Sequence, residues 1–147
     1  MIDLQPTKCN LCGGEVVYIS NAEIYGKEYG SGRCYFCVKC KAYVGTHKPR
    51  PFEALGILAN AEMRELKIDC HNLFDKLWQS KLNGKERGKS YFRNKYYGML
   101  ALELGIKKEN CHFGYFDLDM LKRAHEILTS KQLKFKKGKR KYERRNV

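Results

Sequence analysis

Two Cys-x-x-Cys pairs, Cys9-Asn10-Leu11-Cys12 and Cys37-Val38-Lys39-Cys40, constrain this chain more than any other feature. Two residues between thiolates let the backbone turn through a tight knuckle, so both sulfurs can reach one tetrahedral ion at about 2.3 Å. Gly13 and Gly14 follow the first pair and relieve the crowding of such a turn. A module this small buries little apolar surface, and a bound metal then supplies its stability, on the order of 10 kcal/mol. The expectation is a structural Zn2+ held by Cys9, Cys12, Cys37 and Cys40, with no coordination position left open for catalysis. Cys34 complicates the assignment, because Cys34-x-x-Cys37-x-x-Cys40 offers three thiols for two places and Cys34 can stand in for Cys37 or Cys40. His47 is a weaker substitute. The outer pairs are preferred because residues 33–36 alternate as a strand does. In addition, Lys39-Cys40-Lys41 before Ala42-Tyr43-Val44 repeats the knuckle-then-strand order that runs from Cys12 to Tyr18. Redox-active or merely buried thiols would not explain a doubled knuckle.

The metal reading depends on compartment. Met1-Ile2-Asp3-Leu4-Gln5-Pro6 has neither the basic start nor the apolar core of a secretory signal, so the expected location is the cytoplasm. There, thiols stay reduced and paired cysteines favour metal over disulfides. No apolar run approaches the roughly 18 residues of a membrane-spanning helix, and no membrane partner is expected. With 29 Lys and Arg against 16 Asp and Glu, the formal charge is +13. Such an excess favours a polyanionic partner, most simply nucleic acid. An anionic membrane surface or an acidic protein would satisfy the same arithmetic.

The pattern along the chain predicts an α+β protein in three parts. A zinc-ribbon-like β-hairpin module spans residues 1–48, with strands at Glu15–Ser20 and Arg33–Val38, a turn at Gly30-Ser31-Gly32 and a short third strand at Ala42–Val44. Thr46–Pro51 reads as a linker. A helical domain at 52–130 follows, a small three-helix bundle. Its first helix is capped by Asn60 and carries Met63, Leu66, Cys70, Leu73, Phe74, Leu77 and Trp78 at three- and four-residue steps, ending by Asn83-Gly84. The second runs from about Ser90 to Leu104 and stops at Gly105. The third is capped by Asp117 and carries Leu118, Leu121, Ala124, Ile127 and Leu128. Residues 131–147 hold nine Lys or Arg and one Glu, a net of +8, and form an expected flexible basic tail.

With knuckles and helices in view, the chain resembles a family of small phage and prophage proteins described as zinc-finger-containing and of unknown function. The likeness is carried by Val44-Gly45-Thr46-His47, Leu55-Gly56-Ile57-Leu58-Ala59, Met63-Arg64, His71, Phe74-Asp75 and Leu77-Trp78. Further on it is carried by Leu104-Gly105-Ile106 and by Cys111-His112-Phe113-Gly114-Tyr115-Phe116-Asp117. It covers roughly residues 8–130, and departs at Ala54, where the family tends to have Pro, and at Asn83-Gly84. The resemblance implies the fold and a phage context and supplies no mechanism.

Two stretches suit nucleic acid. Lys85, Arg87, Lys89, Arg93 and Lys95 interleave with Tyr91, Phe92, Tyr96 and Tyr97, a mixture that fits phosphate contact and base stacking and fits equally a helix whose aromatics are buried and whose charges are hydrated. Lys134, Lys136, Lys137, Lys139, Arg140, Lys141, Arg144 and Arg145 form a denser, salt-sensitive attractor for a polyanion. Tyr18, Tyr25, Tyr29 and Tyr35 of the hairpin are candidates for added stacking. The expectation is a phage-type, zinc-stapled, nucleic-acid-binding protein without catalysis, DNA ranking ahead of RNA. The alternative is an interaction protein that inhibits or modulates a host or phage nucleic-acid enzyme, an anti-defence inhibitor for example. His71, Asp75 and Trp78 share one helix face and, with His112 or His125, could form a second polar site or a nuclease centre. The plainer reading makes them packing and local pairing residues, since no carboxylate pair, phosphate loop or second metal motif accompanies them. Cys70 and Cys111 read as inert packing thiols.

Overall fold

The computed structural model describes residues 2–85 and 87–130, so the basic tail expected at 131–147 lies outside the described residues. The chain is α+β and divides into two compact units: residues up to Glu65 together with Phe113–Leu118, and Leu66–His112 together with the chain from Asp119.

The first unit is built on a three-stranded antiparallel sheet in the order β1 (Val16–Ser20), β2 (Arg33–Cys37), β3 (Tyr43–Gly45). Both long strands fall where β-branched and aromatic residues cluster, and the third begins one residue later than its sequence pattern suggests. Val16 lies opposite Cys37, Tyr18 opposite Tyr35, and Tyr35 opposite Val44. This register places Val16, Tyr35, Cys37 and Val44 on one face. With Cys9, Ala42, Ala54 and Leu58 they form the unit's core. The loop between β1 and β2 contains one short helix, α1 (Ala22–Tyr25). Its anchor is Asn21, 7% exposed, whose Nδ2 donates to the Tyr29 carbonyl at 2.8 Å while its Oδ1 accepts from the Tyr29 N–H at 3.2 Å. A single amide thus satisfies both backbone groups of a residue eight positions on.

The stretch Thr46–Pro51, read above as a linker, turns the chain back on itself. His47 N–H donates to the Glu53 carbonyl at 3.0 Å, Leu55 N–H to Gly45 at 3.0 Å, and Tyr43 and Ala59 exchange bonds of 3.2 and 3.0 Å. Residues 53–59 therefore lie along the outer edge of β3 and satisfy backbone groups that a bare edge would expose. Two tyrosines fasten the turn: Tyr18 Oη donates to the Pro51 carbonyl at 2.8 Å and Tyr35 Oη to the Phe52 carbonyl at 2.7 Å. Beyond the turn, Ile57 N–H donates to the Gly114 carbonyl at 2.9 Å. A Cβ on Gly56 would lie 2.6 Å from the Gly114 carbonyl carbon, so the two backbones approach as closely as they do only because residue 56 has no side chain.

The second unit is helical. α2 (Ala61–Gln79) opens in the first unit, where Asn60 Oδ1 accepts from Met63 N–H at 2.9 Å, the cap expected for this helix. Its Cys70, Phe74 and Trp78 are buried. Asn83 (φ 50°) and Gly84 (φ 80°) make the turn that follows. α3 (Lys89–Leu104) buries Tyr96, Met99, Leu100, Ala101 and Leu104, and ends at left-handed Gly105 with Ile106 N–H bonded to Ala101. α4 (Leu118–Thr129) buries Leu121, Ala124, Ile127 and Leu128. Phe74 and Tyr97 pack with ring centroids 4.3 Å apart, the Cys70 thiol reaches the Leu121 carbonyl at 3.7 Å, and Arg123 reaches the Leu104 carbonyl at 3.4 Å. These contacts join each helix to the other two. Among the described residues, no helix is long and apolar enough to cross a membrane.

Candidate metal centre

The Sγ atoms of Cys9, Cys12, Cys37 and Cys40 all lie within 4.8 Å of one another, and among the described residues they are the one group of three or more His, Cys, Asp or Glu so arranged. Cys9 and Cys40 sulfurs are 3.6 Å apart and Cys12 and Cys37 sulfurs 3.4 Å. A tetrahedron of sulfurs at about 2.3 Å from zinc has edges of about 3.8 Å, so the cage has the size that zinc requires.

The two knuckles are built alike. Cys9 N–H bonds to Gly14 O at 2.9 Å and Gly13 N–H to Cys9 O at 2.9 Å; in the second knuckle Cys37 N–H bonds to Ala42 O at 2.8 Å and Lys41 N–H to Cys37 O at 3.0 Å. Gly13 has φ 76° and Lys41, its counterpart, φ 71°. Left-handed backbone is ordinary for glycine and costly for lysine, so the second knuckle is the more strained. Within each, the first cysteine is buried, Cys9 at 5% and Cys37 at 0% exposed, while Cys12 is half-buried and Cys40 exposed. Gly14 packs directly against the sulfurs: a Cβ there would stand 3.1 Å from Cys37 Sγ, 3.2 Å from Cys12 Sγ and 2.7 Å from Lys39 Cβ.

Backbone dipoles aim at the sulfurs. Leu11 N–H points to Cys9 Sγ at 3.3 Å, Gly14 N–H to Cys12 Sγ at 3.3 Å, and Cys40 N–H to Cys37 Sγ at 3.4 Å. These donors favour thiolate over thiol. Cys37 is lowered to about 6, first by the Cys40 N–H, with the Cys12 and Cys40 side chains and the Lys39 N–H adding to it against desolvation. Cys40 goes the other way, to about 12: the Ala42 N–H pulls it down, but desolvation and the three neighbouring sulfurs outweigh that bond. Four adjacent thiols cannot all ionise without a cation to bind them, and a soft divalent ion such as zinc meets that need.

Cys34, the rival ligand, belongs elsewhere. It is 1% exposed on β2, opposite Ile19 and Gly45, and burial pushes its thiol up. It lies three positions before Cys37, and an odd offset along a strand puts the two on opposite faces. His47 sits beyond β3 and is not among the clustered ligand atoms. Asn10, which sequence reasoning passed over, completes the site. Lying between two of the cysteines, it donates from Nδ2 to the Leu58 carbonyl at 3.0 Å and accepts at Oδ1 from the Leu58 N–H at 2.9 Å. An asparagine inside the Cys-x-x-Cys spacer was the available signal.

The other sequence candidates do not form a comparable centre. Asp75 Oδ1 accepts from Trp78 Nε1 at 3.0 Å, the local pairing anticipated for it. His112 faces Tyr97 with ring centroids 6.3 Å apart; both line a cavity of about 400 Å3 with Asn94, Lys108, Glu109 and Cys111. Burial raises the Cys111 thiol, and likewise that of Cys70, to about 12, which leaves both protonated and inert. Lys85 and Arg87 lie exposed in the turn before α3. On α3, Arg93 lies 5.6 Å from the Trp78 ring and Lys95 lies 5.5 Å from the Tyr91 ring; Lys89 opens the helix. Lys134, Lys136, Lys137, Lys139, Arg140, Lys141, Arg144 and Arg145 lie outside the described residues.

No curated protein and no solved structure matches the chain. A family model described as a zinc-finger-containing domain matches residues 5–131, which takes in the four-cysteine cage and every helix among the described residues. A cage of zinc dimensions inside a match of that extent places the chain in one family: it belongs to the zinc-finger-containing domain family, whose function is unknown.

Proposed function

We propose that this is a phage-type protein that binds nucleic acid without catalysis, DNA in preference to RNA, on a scaffold stapled by zinc. The supporting observation is where the charge lies. Of a net +13, residues 131–147 account for +8. Lys85, Arg87, Lys89, Arg93 and Lys95 gather a second basic group around the start of α3. Neutralising phosphates with such residues releases condensed counterions, a gain independent of base sequence. The zinc serves the fold, since four cysteines fill a tetrahedral ion and leave no position for a reacting water. The resemblance to phage proteins supports the biological setting, and the reducing cytoplasm of a bacterial host suits free thiols.

The test is fluorescence anisotropy with labelled duplex DNA, single-stranded DNA and RNA. Affinity falls on the order of 10³-fold between about 50 and 200 mM salt if some six phosphates are engaged. Truncation after Ser130 removes most of the affinity and flattens that slope. Salt-independent binding, or equal binding by the truncated chain, overturns the reading. A stoichiometric protein captured from host lysate after nuclease digestion would instead favour the modulator of a nucleic-acid enzyme.

A further inference from the structure

We propose that the sheet face turned away from the first unit's core is a stacking platform for single-stranded nucleic acid, formed by Tyr25, Tyr29, Phe36 and Tyr43 with Lys27, Lys41 and Arg64. The inference rests on the nucleic-acid reading above and narrows its substrate. Phe36 and Tyr43 are cross-strand partners, and strand alternation puts them opposite the face that carries Tyr35, Cys37 and Val44. Tyr25 from α1 stands edge-on to Tyr43, ring centroids 6.2 Å apart at 82°, and Tyr29 stands edge-on to Tyr25 at 5.6 Å and 80°. Tyr25 is 50% and Tyr29 52% exposed. Half the surface of two large rings is left to water although a core lies one strand thickness away.

Each of three rings has its own cation. Lys27 Nζ lies over the Tyr29 ring at 5.5 Å from its centre, Lys41 Nζ over Phe36 at 5.8 Å, and Arg64 Cζ over Tyr43 at 4.1 Å, with Arg64 Nη1 also donating to the Ala59 carbonyl at 2.6 Å. A ring for the base beside a cation for the phosphate is the recurring unit of single-strand recognition. Glu28, next to Tyr29 in the loop, is directed elsewhere: it accepts from Ser20 Oγ at 2.7 Å and pairs with Arg33 at 3.8 Å, both residues on the core-side register of the sheet. The hairpin's tyrosines therefore divide by role. Tyr18 and Tyr35 use their hydroxyls to fasten the Pro51-Phe52 turn, whereas Tyr25 and Tyr29 project on the far side. Bases in a duplex already stack on one another and offer no free faces, so a platform of rings selects the unpaired strand and tolerates any base.

The experiment compares, for the full-length zinc-loaded chain, a fluorescent homothymidine strand with an abasic strand of the same length and charge. Wild type prefers the base-bearing strand by about tenfold, and Tyr29→Ala removes about fivefold of that preference, the loss of one stacked base. Tyr29→Phe keeps the preference. Abasic affinity and zinc content stay unchanged in both variants, which separates lost stacking from lost folding. Equal binding of the two strands by wild type, or a preference that survives both Tyr25→Ala and Tyr29→Ala, overturns the platform while leaving the charge-based reading standing. Failure of wild type to bind either strand overturns the platform, and failure to bind duplex DNA as well overturns both.

Discussion

The two units of this chain reach a stable fold by different physics. In the first, specific polar and ionic bonds do most of the organising: four sulfurs, the Asn10 and Asn21 amides, and the Tyr18 and Tyr35 hydroxyls each hold one backbone position or one ion. In the second, apolar helix faces meet, and the Cys70 thiol reaches the Leu121 carbonyl only at 3.7 Å. The difference follows from size. About sixty residues of mostly irregular chain cannot bury enough apolar surface to offset their ordering entropy, whereas three helices of 19, 16 and 12 residues carry continuous apolar stripes. One unit should respond to chelators and the other to cavities.

The largest expected effect is metal removal. A zinc chelator, or Cys37→Ser, forfeits on the order of 10 kcal/mol from the first unit and abolishes its cooperative melting, while helical circular dichroism from the second persists. Cys34→Ser keeps one zinc per chain by mass spectrometry under native conditions; its loss would break the assignment of the cage. Next, Phe74→Ala opens a cavity in the second unit and costs it about 3–5 kcal/mol in chemical denaturation, with zinc stoichiometry unchanged. Loss of zinc in that variant would mean that the units do not answer separately.

How far the comparison was visible in the sequence differs between the units. In the second it was nearly complete. The three- and four-residue steps from Met63 to Trp78, the Asn60 cap and the Gly105 stop are all local signals, and the helices begin and end within a few residues of where those signals place them. The cysteine knuckles of the first unit were equally local, but Cys34 stayed an open alternative to Cys37 or Cys40 until the register of the sheet set it on the opposite face from Cys37. The course of residues 53–59 along β3 was not legible. It depends on isolated bridges and on the Asn10 amide, which reaches 48 residues along the chain, and neither leaves a period in the sequence. The Gly56–Gly114 approach was hidden for the same reason, although both glycines lie in the stretches that carried the family resemblance.

Two smaller effects sharpen the contrast. Gly56→Ala forces a methyl group into the Gly114 carbonyl; it destabilises the first unit by about 1–3 kcal/mol, read as a lower chelator-sensitive melting midpoint. Lys41→Gly acts in the opposite direction. It relieves a left-handed lysine in the second knuckle and raises that same midpoint, stabilising by about 0.5–1 kcal/mol.

The Asn10 amide carries a consequence for the order of events during folding. It can present both of its polar atoms to Leu58 only after the knuckle that contains it has closed, and the knuckle closes around the metal. Sequence separation of 48 residues makes that docking a slow, non-local step beside the formation of the β1–β2 hairpin. Ion capture is therefore expected to precede closure of the 53–59 segment. Refolding started without zinc and then supplied with it is expected to show a lag set by the ion concentration, which makes the metal a timer of folding as well as a staple for the finished chain.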